Sequence, residues 1–328
     1  MHALFFWFTL SFVIGGSSLP DSGIAASSAY VRSTEGLDLH HVRLAVAAPP
    51  EFTSRLSGRA GALFAKAGLP LGNSDGADGP FTAALTLTLS PQPLTDTCLG
   101  HVLYVPSLRL TEPVIISRNG ELLNDVTWLT HTGAQVREPM TISDLERDLD
   151  TFIEQFIADY RAANAGVHSL DPERAPMISR ADSPPPVSVA AEHTAAHSNA
   201  GLKELPTEQL LISVSAGRYS QALTKRALQQ FSAAGRPLMS GLGRNKQVSL
   251  GVELTQQTLE DRCPGKVLYE SGLYLVEQVQ IGRNRQVSIW SDTWMRETIA
   301  VVTPRTQAQL ESDQDALLRQ FIDALNTR

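Results

Sequence analysis

The sequence predicts an α+β chain built as two tandem homologous β-α-β-β-β-α two-layer sandwich domains, the product of an internal duplication. Three observations carry this. Residues from about 42 to 163 recur, at an offset of 165 to 167, between about 210 and 328. The run around one cysteine (Leu94, Asp96, Cys98, Gly100, Val102, Leu103, Tyr104) matches the run around the other (Leu259, Asp261, Cys263, Gly265, Val267, Leu268, Tyr269). The closing helix repeats too, with Leu145, Asp148, Asp150, Phe156 and Ile157 answered by Leu310, Asp313, Asp315, Phe321 and Ile322. Matches this dense at one offset mark repeated units.

Each element has its own local reason. The first strand is residues 42–47, matched by 210–214. The first helix covers about 50–67 and 219–234. Phe52, Leu56, Leu63 and Phe64 give it one apolar face at three- and four-residue spacing, with Tyr219, Leu223, Gln230 and Phe231 as counterparts. Gly68 with Pro70, and Gly235 with Pro237, stop the two helices. The second strand alternates Leu85, Leu87 and Leu89 against Leu250, Val252 and Leu254, the period of a sheet with one buried face. The third strand carries Leu108, Leu110, Val114 and Ile116 against Leu273, Leu275, Val279 and Ile281. A hairpin turn at Ser117, Arg118, Asn119 and Gly120 leads to a fourth strand with Thr127 and Trp128, matched by Thr293 and Trp294. The last helix opens with hydroxyl caps and acids suited to the positive end of its dipole.

The domain boundaries follow. Residues 1–26 read as a secretory signal peptide: an apolar run over residues 4–14, then small residues ending at Ala25 and Ala26. The run is too short to span a bilayer comfortably, although an uncleaved anchor is the competing reading. Residues 27–39 form a polar lead-in, 40–163 the first repeat and 209–328 the second. Between them, 164–208 reads as a Pro/Ala/Ser-rich linker, stiff at Pro184, Pro185 and Pro186.

Composition limits function. The chain has 328 residues, 42% hydrophobic and 19% charged, with a formal net charge of −7. That balance argues against a general nucleic-acid binder. The first repeat is net acidic and the second net basic, so the two could attract each other. The element order resembles that of small accessory modules of bacterial envelope assembly proteins, such as the lipopolysaccharide-transport lipoprotein and the amino-terminal domain of TolB-type proteins. This resemblance implies an exported accessory role.

Cys98 and Cys263 occupy equivalent positions before the third strand. Export makes oxidation available, and three states stand open: an intramolecular bridge, two buried thiols, or a bridge between chains. His101 follows Cys98 by three residues, but Lys266 stands at its counterpart, which argues against a catalytic thiol. His193 and His197 lie four apart in the linker, with Glu192 before them, which is not the zinc-protease order. The acids of the last helix diverge around its axis and are read as dipole partners. Glu112 with Arg118, and Glu277 with Arg283, bracket the third strand, and Tyr104 and Tyr269 sit earlier on it. These six residues are the candidate binding face, expected on the polar side of the sheet. The sequence shows no catalytic, cofactor or metal motif: there is no P-loop, dinucleotide fingerprint, nucleophile elbow or paired-cysteine site. The expectation is a non-enzymatic exported protein, periplasmic or secreted. It would bind another envelope or secreted protein through sheet faces or edges, without cofactor and without an integral membrane segment in the mature chain. An enzyme or small-ligand carrier with its site in the cleft between the repeats is the alternative.

Overall fold

The computed structural model describes residues 34–72, 83–165, 193–196, 202, 204–207, 210–238 and 248–326. The expected signal peptide, residues 1–26, lies outside them, as does most of the lead-in and linker. The fold is mixed α and β, with four helices among the described residues.

In the amino-terminal half, β1 (Val42–Ala47) leads into α1 (Pro50–Lys66) and then β2 (Ala83–Thr88), which lies parallel to β1. Helix α1 begins with proline, whose missing N–H costs nothing in a first turn. It ends where Gly68 adopts φ +71°, with Leu69 N–H donating back to Phe64 O at 3.0 Å. Leu56, Ala60 and Phe64, four apart, are its buried stripe. After the short β3 (Gln92–Pro93) and β4 (Val102–Tyr104) comes β5 (Ser107–Ile116), antiparallel to β2 and to β6 (Leu122–His131). The two-residue β3, β4 and β7 (Gln135–Arg137) form a separate three-stranded sheet. Helix α2 (Ile142–Asn164) starts with a capping box between Thr141 and Asp144 and packs Leu149, Ile153 and Phe156 onto the sheet. Trp128 meets Phe156 edge-on at 4.9 Å and donates its indole N–H to Asp159 at 3.0 Å. Its apolar body is thus buried without orphaning its polar atom.

The carboxy-terminal half repeats this order with longer strands. Its elements are β9 (Leu211–Ser215), α3 (Ser220–Ala233), β10 (Val248–Thr258), β11 (Val267–Ile281), β12 (Asn284–Val302) and α4 (Gln307–Asn326). Trp294 meets Phe321 at 5.1 Å, as Trp128 meets Phe156. The sequence reading expected four comparable strands in each half; the amino-terminal half breaks its own into pieces. Pro91 and Pro106 stand where the other half has Gln256 and Ser271. Proline supplies no N–H to a ladder, so β10 and β11 run on where β2 and β5 are cut short.

The halves share one nine-stranded sheet in the order β1-β2-β5-β11-β10-β9, with β6 on β5 and β12 on β11. Strand β2 covers β5 only as far as Thr111, and β10 covers β11 only as far as Glu277. The uncovered ends pair with each other: Ile116 with Val279, Ile115 with Gln280, and Val114 with Ile281. Gly282 N–H donates to Pro113 O at 2.9 Å and Ser117 N–H to Gln278 O at 3.1 Å, which extends this ladder at both ends. A Cβ at Gly282 would lie 2.7 Å from Pro113 O, so the close approach needs glycine. Mutual pairing removes the open edge each long strand would otherwise present.

The expected linker departs from the structureless reading. Its residues His193–Ala196 form β8, antiparallel to Arg296–Ile299 of β12. Free strand edges satisfy backbone groups whatever the side chains, so no apolar period announces such a strand.

Candidate functional site

Of the six residues expected on a polar, solvent-facing surface, Tyr104, Glu112, Tyr269 and Glu277 are buried and Arg118 and Arg283 half-buried, and strand parity explains the two glutamates. Glu112 shares its face of β5 with Leu108, Leu110, Val114 and Ile116, all of them buried. Glu277 likewise shares a face of β11 with Leu273, Leu275, Val279 and Ile281. That face meets the helices at one end and the other half at the far end. Tyr104 and Tyr269 lie in the two helix-covered cores, at 0% and 4% exposure. Burial, together with Asp148 beside Tyr104 and Asp313 beside Tyr269, pushes both phenols far up.

The four charged residues cross between the halves. Arg118 donates from Nε to Glu277 Oε2 at 2.8 Å and from Nη2 to Oε1 at 3.2 Å. Arg283 pairs with Glu112 in the reciprocal sense and donates from Nε to Glu35 O at 3.1 Å. Thr127 donates to Glu112, and Thr293 to Glu277. Ser291 donates to Val126 O at 3.1 Å. Asp125 is buried in the same junction. Burial pushes its carboxyl up to about 7, with Asp292 and Glu277 adding to the effect and bonds from Ser291 and the Val126 N–H opposing it. The four charged residues of the expected ligand face thus form the polar seam of the molecule, and the two tyrosines belong to the cores.

Cys98 and Cys263 are bonded, with Cα atoms 5.6 Å apart. Of the three states left open by sequence, the structure contains the intramolecular bridge. Around it Leu94, Leu103 and Val136 of one half pack with Leu259, Leu268, Ile299 and Val301 of the other. This second contact between the halves uses the sheet faces turned away from the helices.

On those same faces lies a group that sequence reading missed. Cross-strand register places Glu253 and Glu297 on either side of Gly272, with Glu270 and Tyr274 two residues before and after it. Like charges this close are unfavourable. Burial, then Glu253 and Glu297, pushes the Glu270 carboxyl up to about 7, and Glu270 shares a hydrogen bond with Glu297. Burial and Glu297 also raise Glu253. Tyr274 donates to Glu297 at 2.9 Å, and its ring fills the space where a Cβ at Gly272 would collide with it. Arg109 reaches in from the amino-terminal half. Burial lowers its pKa, and the attraction of Glu297 opposes that shift.

The space above a second glycine, Gly251, is left open. There a cavity of about 240 Å³ is lined by Ser213, Ser215, Gly251, Glu253 and Tyr274. A larger hollow of about 440 Å³ lies at the hairpin tip, by Asn119, Leu122 and Glu204, away from the carboxylates. The only sequence signal for the carboxylate group is polar residues alternating along three strands, which any wet sheet face shows. Register between strands creates the cluster.

The histidine expectation for the linker falls on residues whose side chains, or whose whole placement, lie outside the described residues. Among the described residues, no helix is long and apolar enough to cross a membrane.

No protein-family model matches the chain, and no curated protein matches it. Solved structures similar to it include a PelC dodecamer from Paraburkholderia phytofirmans. That match has 11% identity and a TM-score of 0.24, covering 42% of this chain and 97% of that one. A minor lipoprotein from Acinetobacter baumannii is similar at 15% identity and a TM-score of 0.20, covering 38% of this chain and 97% of that one. Both likenesses span about two fifths of the chain, at values too low to support an argument about function.

Proposed function

We propose that this chain is an exported, non-enzymatic binding or assembly protein made by duplication of one α+β unit, working in an oxidising compartment. The observation that carries the reading is the bond between Cys98 and Cys263, which ties the two halves together. Disulfides persist outside the reducing cytosol. Their recurrence at equivalent positions, with the crossed Arg–Glu pairs, supports a duplicated unit folding back on itself.

The binding surface shifts from the sheet faces to the sheet edges. The inner faces meet each other, and the helices cover the outer ones. Strands β1 and β9 end the sheet, and each pairs on one side only among the described residues. An edge of this kind accepts a partner strand through main-chain hydrogen bonds. The test is affinity capture from an envelope extract, comparing the wild type with Val46→Pro and Val214→Pro, which remove one edge donor each: Leu89 N–H donates to Ala47 O, so alternation turns the Val46 N–H away from β2, and Val214 stands at the matching register in β9. A partner recovered by the wild type and lost with one variant supports the reading. Capture of the same partner by both edge variants would overturn the edge assignment, and turnover in activity screens would overturn the non-enzymatic one.

One observation favours a second reading, a small-ligand carrier. Glu253, Glu270, Tyr274 and Glu297 of one half converge with Arg109 of the other beside the 240 Å³ cavity. The residues lining the cavity all belong to the carboxy-terminal half, so the site lies within one unit and not in a cleft between the two. A thermal-shift screen of small cationic and hydroxylated compounds, repeated on Glu253→Gln, separates the two readings.

A further inference from the structure

The two cysteines have a third potential ligand beside them. Cys98 Sγ, Cys263 Sγ and a ring nitrogen of His101 all lie within 4.8 Å of one another. A tight turn creates this closeness: His101 N–H donates to Cys98 O at 3.1 Å, and Gly100 adopts φ +81°. The matching turn closes with Lys266 N–H on Cys263 O at 3.0 Å. Lys266 cannot act as a ligand while protonated, so the protein offers three donors and leaves a fourth position open.

The sulfurs do not depend on their own bond to stay adjacent. Seven apolar side chains from both halves pack around them. Arg262 Nη1 donates to Val136 O at 2.6 Å across the same contact, and Cys98 Sγ lies 3.7 Å from Arg262 O. The ladder between β5 and β11 holds the halves together at a separate place. Opening the disulfide therefore leaves two thiols and an imidazole facing one point.

We propose that the reduced pair, Cys98 and Cys263, binds Zn(II) together with His101, and that this site and the disulfide are alternative states of one locus. Two thiolates, one imidazole and an open fourth position suit tetrahedral Zn(II) with a bound water. A dithiol reductant supplies two electrons and two protons to the S–S bond, giving two thiols and the oxidised reductant. Zn(II) then displaces both thiol protons and takes the lone pair of neutral His101. A disulfide oxidant takes two electrons from the thiolates and two protons from water, becoming a dithiol, and the reformed Cys98–Cys263 bond releases the ion.

The test uses the full exported chain, reduced with a phosphine that does not itself hold the metal. Titration with Co(II) reads the site directly, through thiolate-to-cobalt charge-transfer bands and the intense visible bands of tetrahedral cobalt. The expected result is one Co(II) per chain, displaced by Zn(II), and none at this site in the oxidised protein. Loss of a ligand in His101→Ala should weaken binding by at least about 10-fold, the scale on which even supporting residues act. Cys98→Ser should abolish the charge-transfer bands. Reduced protein that shows no charge-transfer band would overturn the proposal, as would His101→Ala binding cobalt as tightly as wild type. Far-UV circular dichroism follows the same sample. Loss of the folded signal on reduction would also overturn it, because the site requires the two halves to stay joined without the bond.

Discussion

Removing Glu277 should be among the most damaging single changes in this protein. The side chain is 1% exposed and accepts two hydrogen bonds from Arg118, itself 9% exposed, and one from Thr293. Glu277→Ala withdraws the carboxylate from a guanidinium that water scarcely reaches. Breaking a buried pair by deleting one partner costs about 3–5 kcal/mol, against roughly 0–1 kcal/mol for an exposed pair. The Thr293 hydroxyl also loses its carboxylate acceptor and keeps only the longer contact to Leu275 O at 3.4 Å, for up to about 1 kcal/mol more. Replacing both charges, in Glu277→Leu with Arg118→Met, removes the desolvation penalty along with the attraction, and should recover most of the loss. The reciprocal pair gives an internal comparison. Arg283 is 15% exposed and Glu112 3%, so Glu112→Ala should cost somewhat less than Glu277→Ala. Denaturant unfolding at fixed pH, followed by tryptophan fluorescence, measures all three variants. Trp128 and Trp294 are buried in separate halves, so their signals also report whether the halves still unfold together. A loss below about 1 kcal/mol for Glu277→Ala would mean that water reaches the seam. A double variant no more stable than the single one would refute the account of where the cost arises.

Two further outcomes follow from the same contacts. Converting Cys98 and Cys263 together to serine opens a loop with a sequence separation of 165 and should lower unfolding stability by up to about 5 kcal/mol in the chain-entropy model, read from denaturation midpoints with and without the bond. Stability should also fall as pH rises from the ordinary carboxylate range to about 7, because Glu270 and Asp125 are both raised to about 7 in the fold and the native state holds more protons than the unfolded chain across that window. Above it their contribution is constant. Glu270→Gln should flatten the slope, and an unchanged pH profile would count against the carboxylate cluster.

The parts of this fold that sequence made legible are those fixed by neighbours along the chain. Gly68 and Gly235 stop their helices at positive φ, as expected from glycine followed by proline. Leu85 and Leu87 point into one core, as their alternation implied. The polar seam was misread because charge was allowed to override parity. Glu112 stands two residues from Leu110, on the same face, and a charged residue at a buried position is affordable only if a partner waits there. That partner, Arg283, lies in the other half, and no local pattern reveals it. The small sheet of β3, β4 and β7 escaped for a similar reason. Prolines at 91 and 106 signal interruption, but where the interrupted pieces pair is a tertiary outcome.

Comparison of positions 165 or 166 apart separates frame from chemistry. The frame is repeated: Glu112 and Glu277, Arg118 and Arg283, Trp128 and Trp294, Cys98 and Cys263 each occupy matching places in the two halves. The inner face is not. Where the carboxy-terminal half has Gly251, Glu253, Glu270, Gly272, Tyr274 and Glu297, the amino-terminal half has Thr86, Thr88, Val105, Ser107, Arg109 and His131. All six of these changes add or remove an ionisable group or remove a side chain altogether. The two glycines have opposite effects: the space over Gly272 holds the Tyr274 ring, while the space over Gly251 stays open as the cavity. A seam that buries four charges needs both halves to keep their residues, because either half alone would leave ions unpaired. No such reciprocity binds the inner face, so its side chains are free to differ. The carboxylate cluster and the cavity beside it lie in the carboxy-terminal half, and Arg109 from the other half reaches toward Glu297. The small-ligand reading therefore rests on the asymmetric face, and its test begins with the cluster around Gly272.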